Sequence, residues 1–213
     1  MINDQVLDLI APLKPTITLS LDGPAEVNDA ARPQRNGKSS TEAALKGLNA
    51  LISRKSELGP LLIHSVFTKS HTDVEKVWDF FHEFSVNKME FTFDVTEKSQ
   101  EASEAFVESY KVAAEKAYAL GGETELRRLH FFDVYFEQLD NQYLKENYCG
   151  TGKSLLSLDA RNKIYQCPLE VSFKERQVGQ DTEINWKSHV ALEKPLIERK
   201  CYETCWARQL CGG

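Results

Sequence analysis

The chain has 213 residues, of which 41% are hydrophobic, and a formal charge of -6. This composition is that of a folded protein of one or two domains, and it excludes extended disorder. The acidic balance and the lack of a long lysine or arginine run argue against binding to nucleic acid or to a membrane surface. No apolar run approaches the roughly 18 residues of a spanning helix, and residues 1–14 lack the features of a signal peptide, so we expect a cytoplasmic protein.

Helix and strand patterns alternate along the first 120 or so residues. Apolar residues recur at helical spacing over residues 6–13, 41–53, 74–84 and 101–120. Strands are predicted over residues 16–21, 61–67 and 89–95, and a polar loop is predicted over residues 24–38. This rhythm predicts a parallel sheet with crossover helices. Because a closed eight-unit barrel needs about 200 to 250 residues, the sheet is either small and open or part of a larger barrel.

The sequence changes character after Leu129, where an aromatic, loop-rich segment begins. Residues 130–144 are compatible with either helix or strand, and we place a domain boundary near residue 145. The predicted domains are therefore residues 1–144 and residues 145–213.

All five cysteines lie in the last third of the chain. An odd number of thiols without an export signal argues against a disulfide framework, and clustered thiols in a reducing compartment favour metal binding. Unrelated buried or free thiols are the alternative. All-sulfur ligation favours an iron-sulfur cluster or zinc. The five candidate ligands are Cys149, Cys167, Cys201, Cys205 and Cys211.

A hairpin is predicted between the first two cysteines. Leu155–Leu158 and Lys163–Tyr165 are strand-like and flank a turn at residues 159–162, where Asn162 tolerates the left-handed conformation. The hairpin would bring Cys149 and Cys167 towards each other.

Two other side chains have two interpretations each. His64 lies on a predicted strand, and a satisfied core histidine is favoured over a catalytic base. Trp206 beside Cys205 would either shield a cluster from water or belong to an ordinary core.

Two stretches of the chain resemble a known family. Leu19–Pro24 and the residues after it resemble the mid-barrel strand and loop of radical S-adenosylmethionine (AdoMet) enzymes that modify peptides and proteins. The cysteine-bearing half resembles the SPASM domain of these enzymes, with Asn162 at a position where the family has glycine. The residues that carry the first likeness beyond the strand are Asn28, Asp29, Arg32, Gly37 and Ser40.

The resemblance implies the C-terminal part of a partial (β/α)6 radical AdoMet barrel followed by a small, truncated SPASM domain. In the family, a cluster on an N-terminal Cys-x3-Cys-x2-Cys loop cleaves AdoMet to a radical. This sequence has no such loop. We therefore expect the chain to begin after the family's third strand, and we expect the isolated chain not to cleave AdoMet.

The resemblance also implies which residues bind cofactors. Ser20, Asp29 and Arg32 would lie near AdoMet. Two auxiliary 4Fe-4S clusters would be held by Cys149 and Cys167 and by the remaining three cysteines, although Cys201 and Cys205 are separated by three residues where two are usual. Because each set falls short of four ligands, we expect the clusters to bind poorly or incompletely.

The implied function is that of a maturase that cross-links a peptide or protein or oxidises one of its side chains. The stretch from Cys205 to Gly213 looks most like peptide-cross-linking maturases, and an enzyme like the anaerobic sulfatase maturases is the first alternative. A non-catalytic zinc- or iron-sulfur-binding module is the second alternative, and a chain that is inactive as encoded is the third. Expected partners are a peptide or protein substrate and a reductant such as a flavodoxin or ferredoxin, with no nucleic acid and no membrane.

Overall fold

The computed structural model describes residues 2–94, 96–142, 155–171, 173–185, 187 and 203–207. The chain divides into two compact units, residues 1–136 and residues 137–213. The domain boundary predicted near residue 145 lies outside the described residues and stays a prediction. Among the helices of the described ranges, none is both long enough and apolar enough to cross a membrane.

The described elements follow the predicted alternation of helix and strand. The helices are α1 (Asp4–Ile10), α2 (Ala25–Ala31), α3 (Ser40–Ser53), α4 (Val74–Phe81), α5 (Gln100–Leu126) and α6 (His130–Asp140). The strands are β1 (Ile17–Ser20), β2 (Leu61–Phe67), β3 (Lys88–Phe93), β4 (Ser157–Leu158), β5 (Lys163–Tyr165), β6 (Gln177–Gln180) and β7 (Glu183–Ile184). Short 3-10 turns occupy Ala11–Leu13, Lys55–Glu57, Pro168–Glu170 and Lys174–Arg176.

Two segments refine or correct the sequence predictions. The polar stretch predicted as a loop contains α2, so that prediction was wrong over Ala25–Ala31. Pro24 stands at the N-cap of this helix, and the side chains of α2 hydrogen-bond to the next helix, which a propensity argument does not anticipate. The segment that was compatible with helix or strand forms α6.

A parallel sheet in the order β1-β2-β3 organises the first unit, which confirms the predicted α/β fold class. Leu129 adds one parallel bridge to Met89 beside β3. The side chains of β2 alternate strictly between buried and half-exposed, as expected for a strand with one covered face. The sheet therefore has a core face and an open face.

Helices cover the core face of this sheet. Buried side chains of strands β2 and β3 and of helices α1, α3, α4 and α5 form one apolar cluster. Full burial of each large side chain stabilises the fold by about 1.5–3 kcal/mol. The fully buried members include Leu48, Leu51, Ile63, Phe67, Val77, Phe81, Met89 and Ala113.

Polar side chains cap the starts of two helices. Ser39 accepts a hydrogen bond from the backbone N–H of Glu42 at the start of α3, and Asp73 accepts one from Lys76 at the start of α4. Helix α5 departs from helical geometry at Gly121 and Gly122, where the sequence predicts its end.

Four short antiparallel strands in the order β4-β5-β6-β7 form the sheet of the second unit. The predicted hairpin is confirmed as β4 and β5. Asn162 has a φ of 60°, which is the left-handed conformation that asparagine tolerates in such a turn. The Asp159 carboxylate accepts hydrogen bonds from the N–H groups of Arg161 and Lys163, which closes the turn.

Gly59 precedes β2 at a point where two chain segments nearly touch. A Cβ there would lie 2.5 Å from the carbonyl oxygen of Lys14 and 2.6 Å from that of Pro15, so backbone must move. We expect Gly59→Ala to lower the free energy of unfolding by about 1–3 kcal/mol, measured by urea denaturation.

Gly47→Ala is the matched control. Gly47 lies inside α3, and a Cβ there would meet only the Ile2 side chain at 3.8 Å, an ordinary contact. This substitution should raise the free energy of unfolding by about 0.5–1 kcal/mol. Equal effects of the two substitutions would contradict the close approach.

Candidate functional site

The open face of the first sheet carries a row of polar side chains. Ser20, the last residue of β1, is in register with His64 of β2, and His64 is in register with Glu90 of β3. Neighbouring strands lie about 4.8 Å apart, so each side chain lies within reach of the next. The Nε2 atom of His64 lies 3.4 Å from the hydroxyl oxygen of Thr92 on the same face.

His64 is not a core residue. It is half-exposed, whereas its neighbours Ile63 and Ser65 are buried on the other face of the sheet. The sequence interpretation that favoured a core histidine was therefore wrong, because the register of β2 decides which face each side chain occupies.

Asp22 fixes the chain just beyond β1. One carboxylate oxygen accepts a 2.7 Å hydrogen bond from Arg32 Nε, and the other accepts bonds from Arg32 Nη2 at 3.1 Å and from the Val66 N–H at 3.0 Å. The Asp22 side chain is only 4% exposed and the Arg32 side chain is 40% exposed. This two-bond pairing raises the pKa of Arg32, so the guanidinium stays charged.

The turn after Asp22 needs glycine. Gly23 has a φ of 143°, a conformation that side chains rarely adopt, and a Cβ there would lie 3.1 Å from Cγ2 of Val77. The chain can therefore bend sharply from β1 into α2 while the Asp22 side chain stays in place.

Asn28, which is almost fully buried, links this turn to α3. Its side-chain oxygen accepts a hydrogen bond from the Asp22 N–H, and its amide nitrogen donates to the hydroxyls of Ser40 and Thr41. All of these groups are satisfied, as buried polar groups usually are.

Asp29 accepts hydrogen bonds at the start of α3. Its Oδ1 accepts from the Ser40 hydroxyl, the Thr41 hydroxyl and the Thr41 N–H at 2.7–2.9 Å. The Thr41 hydroxyl, followed by the Ser39 side chain and the Thr41 N–H, holds the pKa of Asp29 well below its usual range. A negative charge at this position also suits the helix dipole.

The three predicted AdoMet-binding residues lie at the junction of β1, α2 and α3, next to the Asp22–Arg32 pair. Asp29 and Arg32 belong to one hydrogen-bond network through Asn28 and Asp22. Ser20 lies on the open face, and no described residue hydrogen-bonds to its exposed hydroxyl. Their roles towards AdoMet stay predictions.

Sequence reasoning assigned no site role to Asp22, Asn28, Thr41 or Glu90. The signal for the first was a carboxylate directly before Gly-Pro at the end of a strand. Glu90 lies within a strand of alternating polar and apolar residues, and such a pattern does not show whether a carboxylate has an ion-pair partner. The register of the three strands, and not the sequence pattern, places Glu90 beside His64.

Two of the five predicted metal ligands lie within the described residues. Cys167 and Cys205 are free, half-exposed thiols, and Trp206 next to Cys205 is 89% exposed. Cys149, Cys201 and Cys211 lie outside the described residues. Within the part of the chain that the structure describes, no three histidine, cysteine or acidic side chains converge as a metal site. The thiol chemistry suits an iron-sulfur cluster, but the described residues do not complete a ligand set.

Solved structures of anSMEcpe, a radical AdoMet sulfatase-maturating enzyme with a SPASM domain, match this architecture. One with bound AdoMet superposes on the whole chain with a TM-score of 0.75 at 18% identity, and one with AdoMet and the Cp18Cys peptide gives 0.73 at 16%. The chain has the fold of the C-terminal portion of this radical AdoMet enzyme. It spans 59% and 63% of these two chains.

The chain also spans about half the length of a relative with a similar sequence. An uncharacterized protein of Methanocaldococcus jannaschii is 26% identical over 170 residues, which is 79% of this chain and 54% of that protein. No protein-family model matches the chain. The likeness to the radical AdoMet enzymes therefore establishes the fold.

The Asp22–Arg32 pair gives a test of the junction. Arg32→Gln would leave the buried Asp22 carboxylate without its counter-charge. After allowance for the 40% exposure of Arg32, we expect the free energy of unfolding to fall by about 2 kcal/mol in chemical denaturation.

Arg35→Gln is the control, because Arg35 is an exposed arginine in the same loop; its effect should stay within about 0.5 kcal/mol. Adding Asp22→Asn to Arg32→Gln should recover part of the loss, since it removes the uncompensated charge. If both arginine substitutions have the same effect, Asp22 and Arg32 do not hold the junction.

Proposed function

We propose that this chain acts in a radical AdoMet maturase that modifies a peptide or protein by cross-linking it or by oxidising a side chain. The observation that carries the proposal is the match of the whole chain to anSMEcpe, a fold solved with AdoMet and peptides. The Cys205–Gly213 stretch favours cross-linking, and the fold match itself favours oxidation of the kind that a sulfatase maturase performs.

The open face provides the surface for AdoMet in this proposal. Ser20 presents an exposed hydroxyl that can donate or accept a hydrogen bond with a polar group of AdoMet. Arg32 uses Nε and Nη2 to bind Asp22, and the exposed remainder of its guanidinium suits a carboxylate. Asp29 lies near the same ligand, and its bonds to Ser40 and Thr41 hold the segment in position.

The five cysteines are the proposed ligands of auxiliary iron-sulfur clusters. When bound, the clusters and AdoMet would supply the electron transfer and hydrogen abstraction, and a flavodoxin or ferredoxin would supply electrons. The chain's own contribution is to hold the thiolates, to orient AdoMet and to bind the peptide on the open face. Exclusion of water from that face would protect a reactive species.

A binding measurement tests the AdoMet part of the proposal. Ser20→Ala should weaken AdoMet binding by isothermal titration calorimetry about five-fold, which corresponds to one hydrogen bond of about 1 kcal/mol. Thr18→Ala is the matched control, because Thr18 is exposed on the same face of β1 two residues earlier, and it should leave the affinity unchanged. Equal losses in the two variants, or no AdoMet binding by the wild-type chain, would contradict the assignment.

Optical absorption tests the metal part. After anaerobic reconstitution with iron and sulfide, the chain should turn brown, with broad absorbance near roughly 400 nm and less iron than two complete clusters require. Cys167→Ser and Cys205→Ser should each lower the bound iron further. A colourless protein that instead retains zinc through four thiols would support the non-catalytic module.

A further inference from the structure

Glu90 is a carboxylate that the fold leaves uncompensated. It is half-exposed in the middle of β3, and it lies on the open face in register with His64. Among the residues that the structure describes, none donates a hydrogen bond to its carboxylate or forms an ion pair with it. This carboxylate is therefore free to accept hydrogen bonds from a ligand.

The nearest cation along the strand is already engaged. Lys88 lies on the same face as Glu90, but its Nζ lies 2.8 Å from the Asp133 carboxylate and 3.1 Å from the Arg127 carbonyl oxygen. Some other acidic side chains of this unit do have cations, as in the pair of Glu26 with Lys76 and that of Glu75 with Lys116. Among the described residues, none neutralises the negative charge of Glu90 on the open face.

The surroundings of Glu90 strengthen its attraction for a cation. Its chain neighbours Met89 and Phe91 point into the apolar core, and partial burial lowers the effective dielectric around a charge. The charge of Glu90 also acts on a core residue. Burial is the main cause of the raised pKa of Tyr110, and the negative charge of Glu90 raises that pKa further. A half-buried carboxylate gains most from a donor that is itself charged.

The position of Glu90 separates it from the AdoMet group that Ser20 would contact. Ser20 and Glu90 lie at the same height of the sheet but two strands apart, which is roughly 10 Å at the usual strand spacing. At this strand separation, the two side chains can contact two different chemical groups. The two residues therefore suit two different reactants bound side by side.

We propose that Glu90, with His64 beside it, binds a lysine or arginine side chain of the peptide substrate. The carboxylate accepts the charged N–H groups, and the half-exposed imidazole lies along the aliphatic stem of that side chain. The identification of the ligand as a peptide rests on the proposed function, whereas the preference for a cation rests on the charges of the open face.

The test uses the full chain and an array of nine-residue peptides. The peptides have randomised sequences around a fixed central lysine, arginine or glutamine. The wild-type chain should retain lysine- and arginine-centred peptides about ten-fold better than glutamine-centred ones, as expected for one charge-assisted hydrogen bond. Glu90→Gln should reduce this ratio to about one, and Glu90→Asp, which keeps the charge, should preserve part of it.

Glu83→Gln is the matched control, because Glu83 is an exposed glutamate of the same unit, and it should leave the ratio unchanged. The unfolding midpoint of each variant verifies that it is folded. An unchanged ratio in Glu90→Gln, or no peptide retained by the wild-type chain, would overturn the assignment of Glu90.

AdoMet affinity, measured by titration calorimetry on the same samples, separates the two proposals. It should be equal in the wild-type chain and in Glu90→Gln. A parallel loss of AdoMet binding in Glu90→Gln would overturn the peptide assignment, since it would place Glu90 on AdoMet. Normal cation preference without AdoMet binding by the wild-type chain would support the cation site and contradict the proposed function.

Discussion

The candidate site depends on the pairing of Asp22 with Arg32. This carboxylate joins three pieces of chain, because it follows β1, accepts the Val66 N–H of β2 and holds the arginine at the end of α2. Its geometry in turn requires the glycine turn at Gly23. Because Asp22 follows Ser20 by two residues, this anchoring also positions Ser20 at the end of β1.

The two faces of the first sheet have separate tasks. Strict alternation along β2 sends every second side chain into a dry core against the helices, which makes the sheet rigid. The side chains of the other face are not part of this core, so polar residues can occupy that face. Ligand-binding groups such as His64 therefore stand on a surface that does not have to reorganise when a ligand arrives.

The sequence predicted the elements whose signals are local. The strands and the left-handed Asn162 follow from patterns within a few residues. Helix α2 was missed because its stability comes from hydrogen bonds to α3, more than ten residues away. The exposure of His64 was misjudged for a related reason, since burial of a strand residue is decided by register with its neighbours.

Three aspartate and glutamate side chains near β1, β2 and β3 show how partners decide the task of a carboxylate. Asp29 accepts three hydrogen bonds from the start of α3, and Asp22 accepts three from Arg32 and Val66. Both carboxylates therefore serve to hold the fold together. Glu90 has the same chemistry but no described donor. An unpaired half-buried charge costs stability. A cationic ligand that binds Glu90 would supply the counter-charge that the described residues do not.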